Sequence, residues 1–330
     1  MRKKSLFWLS AFSFLFLLSC GQVKEVSGGD TSRRDSIVKA SPKDVILEKE
    51  ISDALEYLSS DELQGRETGT DGIEKAAQFI ESVFEEHDLK PFFGTYRDSF
   101  EVKGRTGYNL VGMVEGTDPV LKNEFIIVGA HYDHVGRQKP VGGDDIANGA
   151  NDNASGTTAV LELAKYFSAR APKRSVLFTL FSAEEMGLVG AKELAKELKS
   201  EGLDLYTMFN IEMIGVPMTG KEYKAYITGY DISNMAEKLN EYSGQPVLGF
   251  LPEAKQYSLF QRSDNYPFFQ EFNVPAQTIS TFDFTNYKYY HHVDDEFEKM
   301  DVTHMKDLIE AILPGLVGMA NTPGKEIKLN

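Results

Sequence analysis

The run Ser175 to Phe181 carries no charged side chain, and it ends three residues before the adjacent pair Glu184 and Glu185. A strand this apolar has no wet face, so it belongs inside a sheet covered on both sides. Open α/β folds keep their ligands at the carboxyl ends of such strands, and here two carboxylates stand at that end. Like charges side by side repel, so something positive is expected beside them. One carboxylate binding a metal while its neighbour works as a general base satisfies that need. The competing reading is a solvated strand-end loop with two exposed acids, the ordinary fate of glutamate.

The rest of the chain repeats the pattern. Strands are expected at Tyr108 to Val114, Glu124 to Ala130, Tyr206 to Glu212, Ala225 to Thr228 and Ala276 to Ser280, several of them again too uniformly apolar for a one-sided sheet. Ile73, Ala76, Ala77, Ile80, Val83 and Phe84 recur at helical spacing and predict a helix from about Gly72 to His87. Further helices are expected at Ala154 to Ala169, Leu188 to Leu198, Ile232 to Tyr242 and Val302 to Met319. Strands alternating with helices point to one three-layer α/β/α domain with a mixed, largely parallel central sheet. That domain is expected over residues 46–322, with 323–330 as a carboxyl-terminal tail. A hydrophobic content of 42% and a charged content of 26% in 330 residues supply an ordinary globular core.

The amino terminus has another purpose. Arg2, Lys3 and Lys4 precede an apolar stretch from Leu6 to Leu18, the charged and apolar regions of an export signal. Leu17, Leu18, Ser19 and Cys20 resemble a bacterial lipobox, which implies a signal peptide at 1–19 and a lipidated Cys20 that attaches the protein to a membrane. A plain secretory signal is the alternative. Residues 20–45, poor in apolar side chains, read as a flexible tether. Together these features predict an exported lipoprotein anchored to the cell envelope. The formal charge of −15 becomes −18 without the three cations of the signal, which excludes a phosphate-binding surface for nucleic acid. Cys20 is the sole cysteine, so any metal must be held by nitrogen and oxygen ligands.

Candidate ligands lie where the predicted strands end. His131 follows one strand and stands two residues before Asp133; in this spacing a carboxylate can fix the ring nitrogen that faces away from a metal, although H-x-D alone is a weak signal. The small-residue loop Gly149 to Gly156 contains Asp152, which suits a crowded site and equally a helix N-cap. Glu212 closes another strand. His291 and His292 sit in an aromatic loop after Tyr290. Two divalent ions bridged by a carboxylate need one histidine and one carboxylate each, with a separate base, and the chain contains that complement.

The segments H-x-D-x-x-G at His131 to Gly136, G-A-x-D-N-A-S-G, A-E-E-M-G-L-x-G-A, N-x-E-M-I-G, R-S-D-x-x-P-F at Arg262 to Phe268 and Y-H-x-x-x-D occur in this order. Together they resemble the zinc-dependent exopeptidases of the bacterial leucyl aminopeptidase family, which also contains glutaminyl cyclases. The similarity runs from about Leu58 to Met319 and includes the opening Leu58 to Glu67. It implies a zinc aminopeptidase fold of the phosphorylase/hydrolase type, two zinc ions per chain and peptide substrates. By position, it implies one zinc at His131, Asp152 and Glu212 and another at Asp152, Glu185 and His291, with Asp152 bridging. Glu184 would be the general base, Asp133 would orient His131, and Tyr290 and Arg262 would stabilise the oxyanion or anchor substrate. His292 competes with His291 for its role. Glu212 departs from the aspartate often found at this position. Asp144 and Asp145, in the loop Arg137 to Asn148, read as solvated.

The expected function is therefore a metalloaminopeptidase that removes amino-terminal residues from peptides. A glutaminyl-cyclase-like aminoacyltransferase with one zinc and an inactive peptide-binding lipoprotein are the alternatives; the complete ligand set and Glu184 weigh against both.

Overall fold

The apolar run 175–181 is a strand buried at every position, with parallel partners whose ends define one edge of the molecule. The structure is a computed structural model that describes residues 45–330. The signal segment 1–19, Cys20 and the tether up to residue 44 lie outside the described residues. In chain order the elements begin with α1 (Glu48–Leu58), α2 (Asp71–Glu86), β1 (Lys90–Pro91), β2 (Arg97–Val102), β3 (Arg105–Val114), β4 (Glu124–His131), β5 (Arg137–Val141) and β6 (Asp144–Ile146). They continue with α3 (Gly156–Ala169), β7 (Ser175–Phe181), α4 (Val189–Ser200), β8 (Asp204–Ile211), β9 (Ala225–Ile227), α5 (Met235–Ser243) and β10 (Leu248–Gly249). The last are α6 (Pro252–Gln256), α7 (Asn265–Phe272), β11 (Ala276–Ser280) and α8 (Val302–Asn321).

Among the described residues the main sheet runs β1-β3-β7-β4-β8-β11-β9-β10, with β2 paired to β3. Strands β7, β4, β8 and β11 are mutually parallel, whereas β3 joins β7 and β9 joins β11 antiparallel. The sheet is therefore mixed with a parallel centre, as the uninterrupted apolar runs require. Side chains alternate faces along each strand. Ile126, Val128, Val176 and Phe178 pack with α1, α2, α3, α5 and α8 on one face, and Ile127, Leu177, Phe181 and Met208 pack with α4 and α7 on the other. The architecture is three-layered, as read from the sequence.

Register sets where the chemistry falls. His131, the last residue of β4, pairs with Phe181, the last residue of β7, and β8 ends one residue before Glu212. The turns that leave these neighbouring strands emerge on the same edge.

Several elements escape sequence periodicity, among them α1, β2 and α7. Helix α1 carries its apolar face on only four buried residues, Ile51, Ala54, Leu55 and Leu58. Strand β2 is a charged edge strand. Helix α7 contains Pro267, which is tolerated because it lies in the first turn, where the backbone N–H has no helical partner. The stretch Arg137 to Asn148 is largely an exposed hairpin of β5 and β6 with Arg137 paired to Asp145 at 2.5 Å. The expected tail at 323–330 is instead packed on the domain: Ile327 is buried, its N–H donates to the Tyr206 hydroxyl at 2.8 Å, and Leu329 bridges to Ser233. One apolar residue between charged ones gives no periodic signal, yet it fills a gap in the core.

Gly156 opens α3 against the end of β8. A Cβ there would lie 2.4 Å from the Ile211 carbonyl oxygen and 2.4 Å from Asn153 Oδ1. Gly156→Ala is expected to force helix and strand apart, at a cost of about 1–3 kcal/mol, and to lower the thermal midpoint by several degrees. An unchanged midpoint in a melting curve would contradict this packing.

Candidate active site

Five segments meet at the carboxyl edge: the ends of β4, β7 and β8, the loop before α3 and the loop after β11. Asp152, nearly fully buried, stands at their centre. Its Oδ1 is 3.4 Å from His131 Nε2, and its Oδ2 is 3.3 Å from His291 Nε2 and 3.8 Å from His134 Nδ1. Glu185 Oε1 lies 3.1 Å from His291 Nε2 and 3.0 Å from His134 Nδ1. Asp152 thus presents its two oxygens to two different sets of neighbours. It is not an N-cap, because α3 begins only at Gly156 and is preceded by Ser155.

The loop carrying Asp152 is sutured from several directions. Asp295 accepts from the N–H of Asn151 at 2.8 Å and of Asp152 at 3.1 Å, and the Tyr287 hydroxyl donates to it at 2.5 Å. Asn153 Oδ1 accepts from Met213 N–H at 3.0 Å while its amide donates to the Ile211 carbonyl at 3.0 Å, which ties the loop to the end of β8. Arg66 is fully buried and donates to the carbonyls of Leu58, Tyr132 at 2.8 Å, Asn148 at 2.6 Å and Gly149 at 3.0 Å. One guanidinium therefore holds the loop after β4 and the loop before α3 together.

Asp133 meets His131 chiefly through its backbone. His131 Nδ1 meets the backbone carbonyl of Asp133 at 3.1 Å, and the carboxylate stands farther off at 3.7 Å. That carboxylate accepts from the N–H groups of Glu184 at 3.1 Å and Glu185 at 3.4 Å and from Thr68 at 3.3 Å. It braces the turn that carries the two glutamates, because backbone donors at the start of that turn point toward it. His292 lies outside the cluster, with its Nδ1 accepting from Asp294 N–H. The loop aromatics divide: Phe282, Phe284 and Tyr290 line a cavity, while Tyr287 is buried on Asp295. The exposed Tyr290 ring stacks on His291, centroids 3.9 Å apart. Arg262 is exposed and lines the same cavity.

Sequence reasoning missed His134, Ser263, Asp264, Asp295 and Arg66 as parts of this site. Ser263 donates to Glu212 Oε1. Asp264 is buried, and neither of its oxygens has a hydrogen-bond partner. The signal for Ser263 and Asp264 stood in the R-S-D segment, for Asp295 in Y-H-x-x-x-D and for Arg66 in the opening Leu58 to Glu67; none of these spacings reveals a role without the fold.

Burial and mutual repulsion shift the titrations. Burial and the carboxylates of Asp264, Glu212, Glu185 and Asp133 push the Glu184 carboxyl well above its usual range. Burial likewise raises Glu212 to about 7 and Asp133 to about 6. Burial would raise Glu185 too, but the imidazoles of His134 and His291 beside it outweigh that and hold the carboxyl low. Burial disfavours charge on His131 and His291, yet the surrounding acids, Asp152 foremost for His131 and Asp152 with Glu185 for His291, lift them to about 9 and about 10.

This donor set fits divalent cations. His291 Nε2 and Asp152 Oδ2 are buried, face each other and lack hydrogen-bond partners, the arrangement left when both direct lone pairs at a common ion. Nitrogen and carboxylate ligands around a shared aspartate suit zinc. A cation would also reverse the local titration logic and return the carboxylates to their charged forms.

The sequence pattern of Peptidase family M28 matches residues 109–315, more than half of the chain, and the protein belongs to that family. It is 37% identical over 107 residues to a probable zinc metalloprotease of Pyrenophora tritici-repentis, covering 32% of this chain and 24% of that protein. It is thus similar to that relative over about a quarter of the relative's length. It is 24% identical over 266 residues to a probable leucine aminopeptidase of Arthroderma otae, covering 78% of this chain and 68% of that one. Its fold resembles a zinc aminopeptidase from Bacillus subtilis, with TM-score 0.65 and 15% identity over 84% of this chain and 96% of the other. It also resembles Porphyromonas gingivalis glutaminyl cyclase, with TM-score 0.63 and 13% identity over 82% and 98%.

The raised histidines give a stability test. A group whose folded pKa exceeds its unfolded value of about 6.5 stabilises the fold below that pH and loses the contribution as pH rises through the folded value. For His131 and His291 the window runs from about pH 6.5 to about 9 and about 10. The thermal midpoint of chelator-treated protein is expected to fall across this window, and that of cation-loaded protein to hold. Parallel calorimetry checks this; a flat profile after chelation would contradict the charge arrangement.

Proposed function

We propose that the protein is a di-zinc aminopeptidase that hydrolyses the amino-terminal residue from peptides. The observation that carries the reading is Asp152, with His131 on one oxygen and His291 on the other, and with Glu184 on the wall of the same cavity. His131, Asp152 and Glu212 would hold one zinc; Asp152, Glu185 and His291 would hold the other. Membership of a peptidase family and the names of the zinc metalloprotease and leucine aminopeptidase relatives support this assignment.

The cations, when bound, supply Lewis acidity that polarises the scissile carbonyl and lowers the pKa of water toward neutrality. Everything else falls to side chains. Glu184 takes a proton from the attacking water on its carboxylate and passes it to the leaving amine. Ser263 fixes one oxygen of Glu212. Asp133 braces the turn that carries Glu184 and Glu185.

The cavity has a volume of about 150 Å³ and is walled by Met213, Tyr226, Leu259, Phe282 and Phe284 beside the polar groups. It is smaller than the roughly 300–1,000 Å³ of a drug-sized pocket, so it has room for one side chain and not for a length of polypeptide. That supports an enzyme acting at a chain end, with an apolar residue there. Tyr290 and Arg262, at the rim, would anchor the substrate or steady the tetrahedral oxyanion. The glutaminyl-cyclase reading rests on shared fold alone, and His131 at 3.4 Å from Asp152 Oδ1, with Glu212 on the wall of the same cavity, speaks for the peptidase. The signal features at Arg2 to Cys20 support a lipid-anchored enzyme of the cell envelope, on its periplasmic or surface face, with residues 46–322 as its catalytic domain.

Glu184→Gln is expected to reduce hydrolysis of amino-acyl p-nitroanilides by about 10²–10⁴-fold with zinc content unchanged. Peptides with a blocked amino terminus are expected to resist the wild type. Full activity in Glu184→Gln would remove the base, and cleavage of blocked and free peptides alike would remove the exopeptidase assignment.

A further inference from the structure

His134 has no place in the two ligand sets above, yet the structure puts it among them. Its side chain is completely buried. Gly149 has positive φ, and a Cβ at that position would lie 2.5 Å from the His134 ring, so a backbone without a side chain is what admits the imidazole. The ring is then pinned, and its Nδ1 faces Glu185 Oε1 at 3.0 Å and Asp152 Oδ2 at 3.8 Å.

His291 Nε2 faces the same two oxygens, at 3.1 and 3.3 Å. Two nitrogens and two carboxylate oxygens therefore surround one point, all within 4.8 Å of one another. Ligands about 2.1 Å from a tetrahedral zinc stand about 3.4 Å apart, and the four nitrogen–oxygen separations of 3.0 to 3.8 Å bracket that value.

We propose that His134 is the fourth protein ligand of the zinc site formed by Asp152, Glu185 and His291. The inference rests on the di-zinc reading and deepens it by adding a third histidine to the site. The plainer role, in which His134 Nδ1–H donates to Glu185 and merely positions it, predicts the same hydrogen-bond distance but a different metal shell.

X-ray absorption at the zinc edge, on protein titrated with zinc to saturation, separates the two. Three histidines shared by two ions give about 1.5 imidazoles per zinc, and two histidines give about one. Two zincs with about 1.5 imidazoles each, falling to about one in His134→Ser, would support the proposal. Two zincs with about one imidazole each in the wild type, unchanged in His134→Ser, would overturn it and leave the di-zinc reading intact. Saturation at one zinc would sink the di-zinc reading instead, and there the shell still decides: about two imidazoles support His134 as a ligand and one refutes it. His134→Gln, which keeps a polar group of similar reach, is the second variant should serine disturb folding, and it too is expected to lose one imidazole. Competition with a chelator is expected to show tenfold or greater weakening of one zinc, not both.

Discussion

Charge crowding at the carboxyl edge of β7, β4 and β8 is the constraint to which the rest of the molecule answers. Asp133, Asp152, Glu184, Glu185, Glu212, Asp264 and Asp295 are all buried or half-buried there. Carboxylates in a low-dielectric interior repel strongly and resist ionisation. Arg66 is the one fully buried arginine in the cluster's field; burial lowers it to about 10, so it stays charged at neutral pH. A single positive charge cannot balance seven negative ones. Without a cation, protons on His131, His291, Glu212 and Glu184 take up the difference; two divalent ions, as proposed, would replace most of them.

Arg66 solves a second problem at the same time. Its hydrogen bonds go to four carbonyls and not to a carboxylate, so it stitches backbone while its charge acts on the acids through space. Asp295 does the mirror-image task with backbone N–H groups. Between them the loop at 148–153 is held by one buried cation on its carbonyl side and one buried anion on its amide side. A bridging carboxylate must be held this firmly, because both proposed ions depend on the position of Asp152.

Most of the fold was legible in the sequence because a doubly covered parallel sheet demands apolar runs, and β4, β7, β8 and β11 display them. The edge elements were not: β2 alternates charge with burial, and α7 hides behind Pro267. The acids and histidines at strand ends were legible for the same reason, since strand ends could be located. What stayed hidden were the residues that act on backbone. Arg66 and Asp295 serve carbonyls and amides that come together only in three dimensions. Asp133 was expected to orient His131; its carbonyl meets that ring, while its carboxylate accepts from the turn at Glu184. His134 was invisible as a partner of Glu185 because the two meet only through the pairing of β4 with β7.

Two zinc ions require Asp152 as a shared ligand. Anomalous diffraction at the zinc edge, from crystals of the zinc-saturated protein, tests it most directly. Two anomalous peaks about 3.5–4 Å apart, one on each side of Asp152, are the predicted result. A single peak, or two peaks of which one lies away from Asp152, would contradict it.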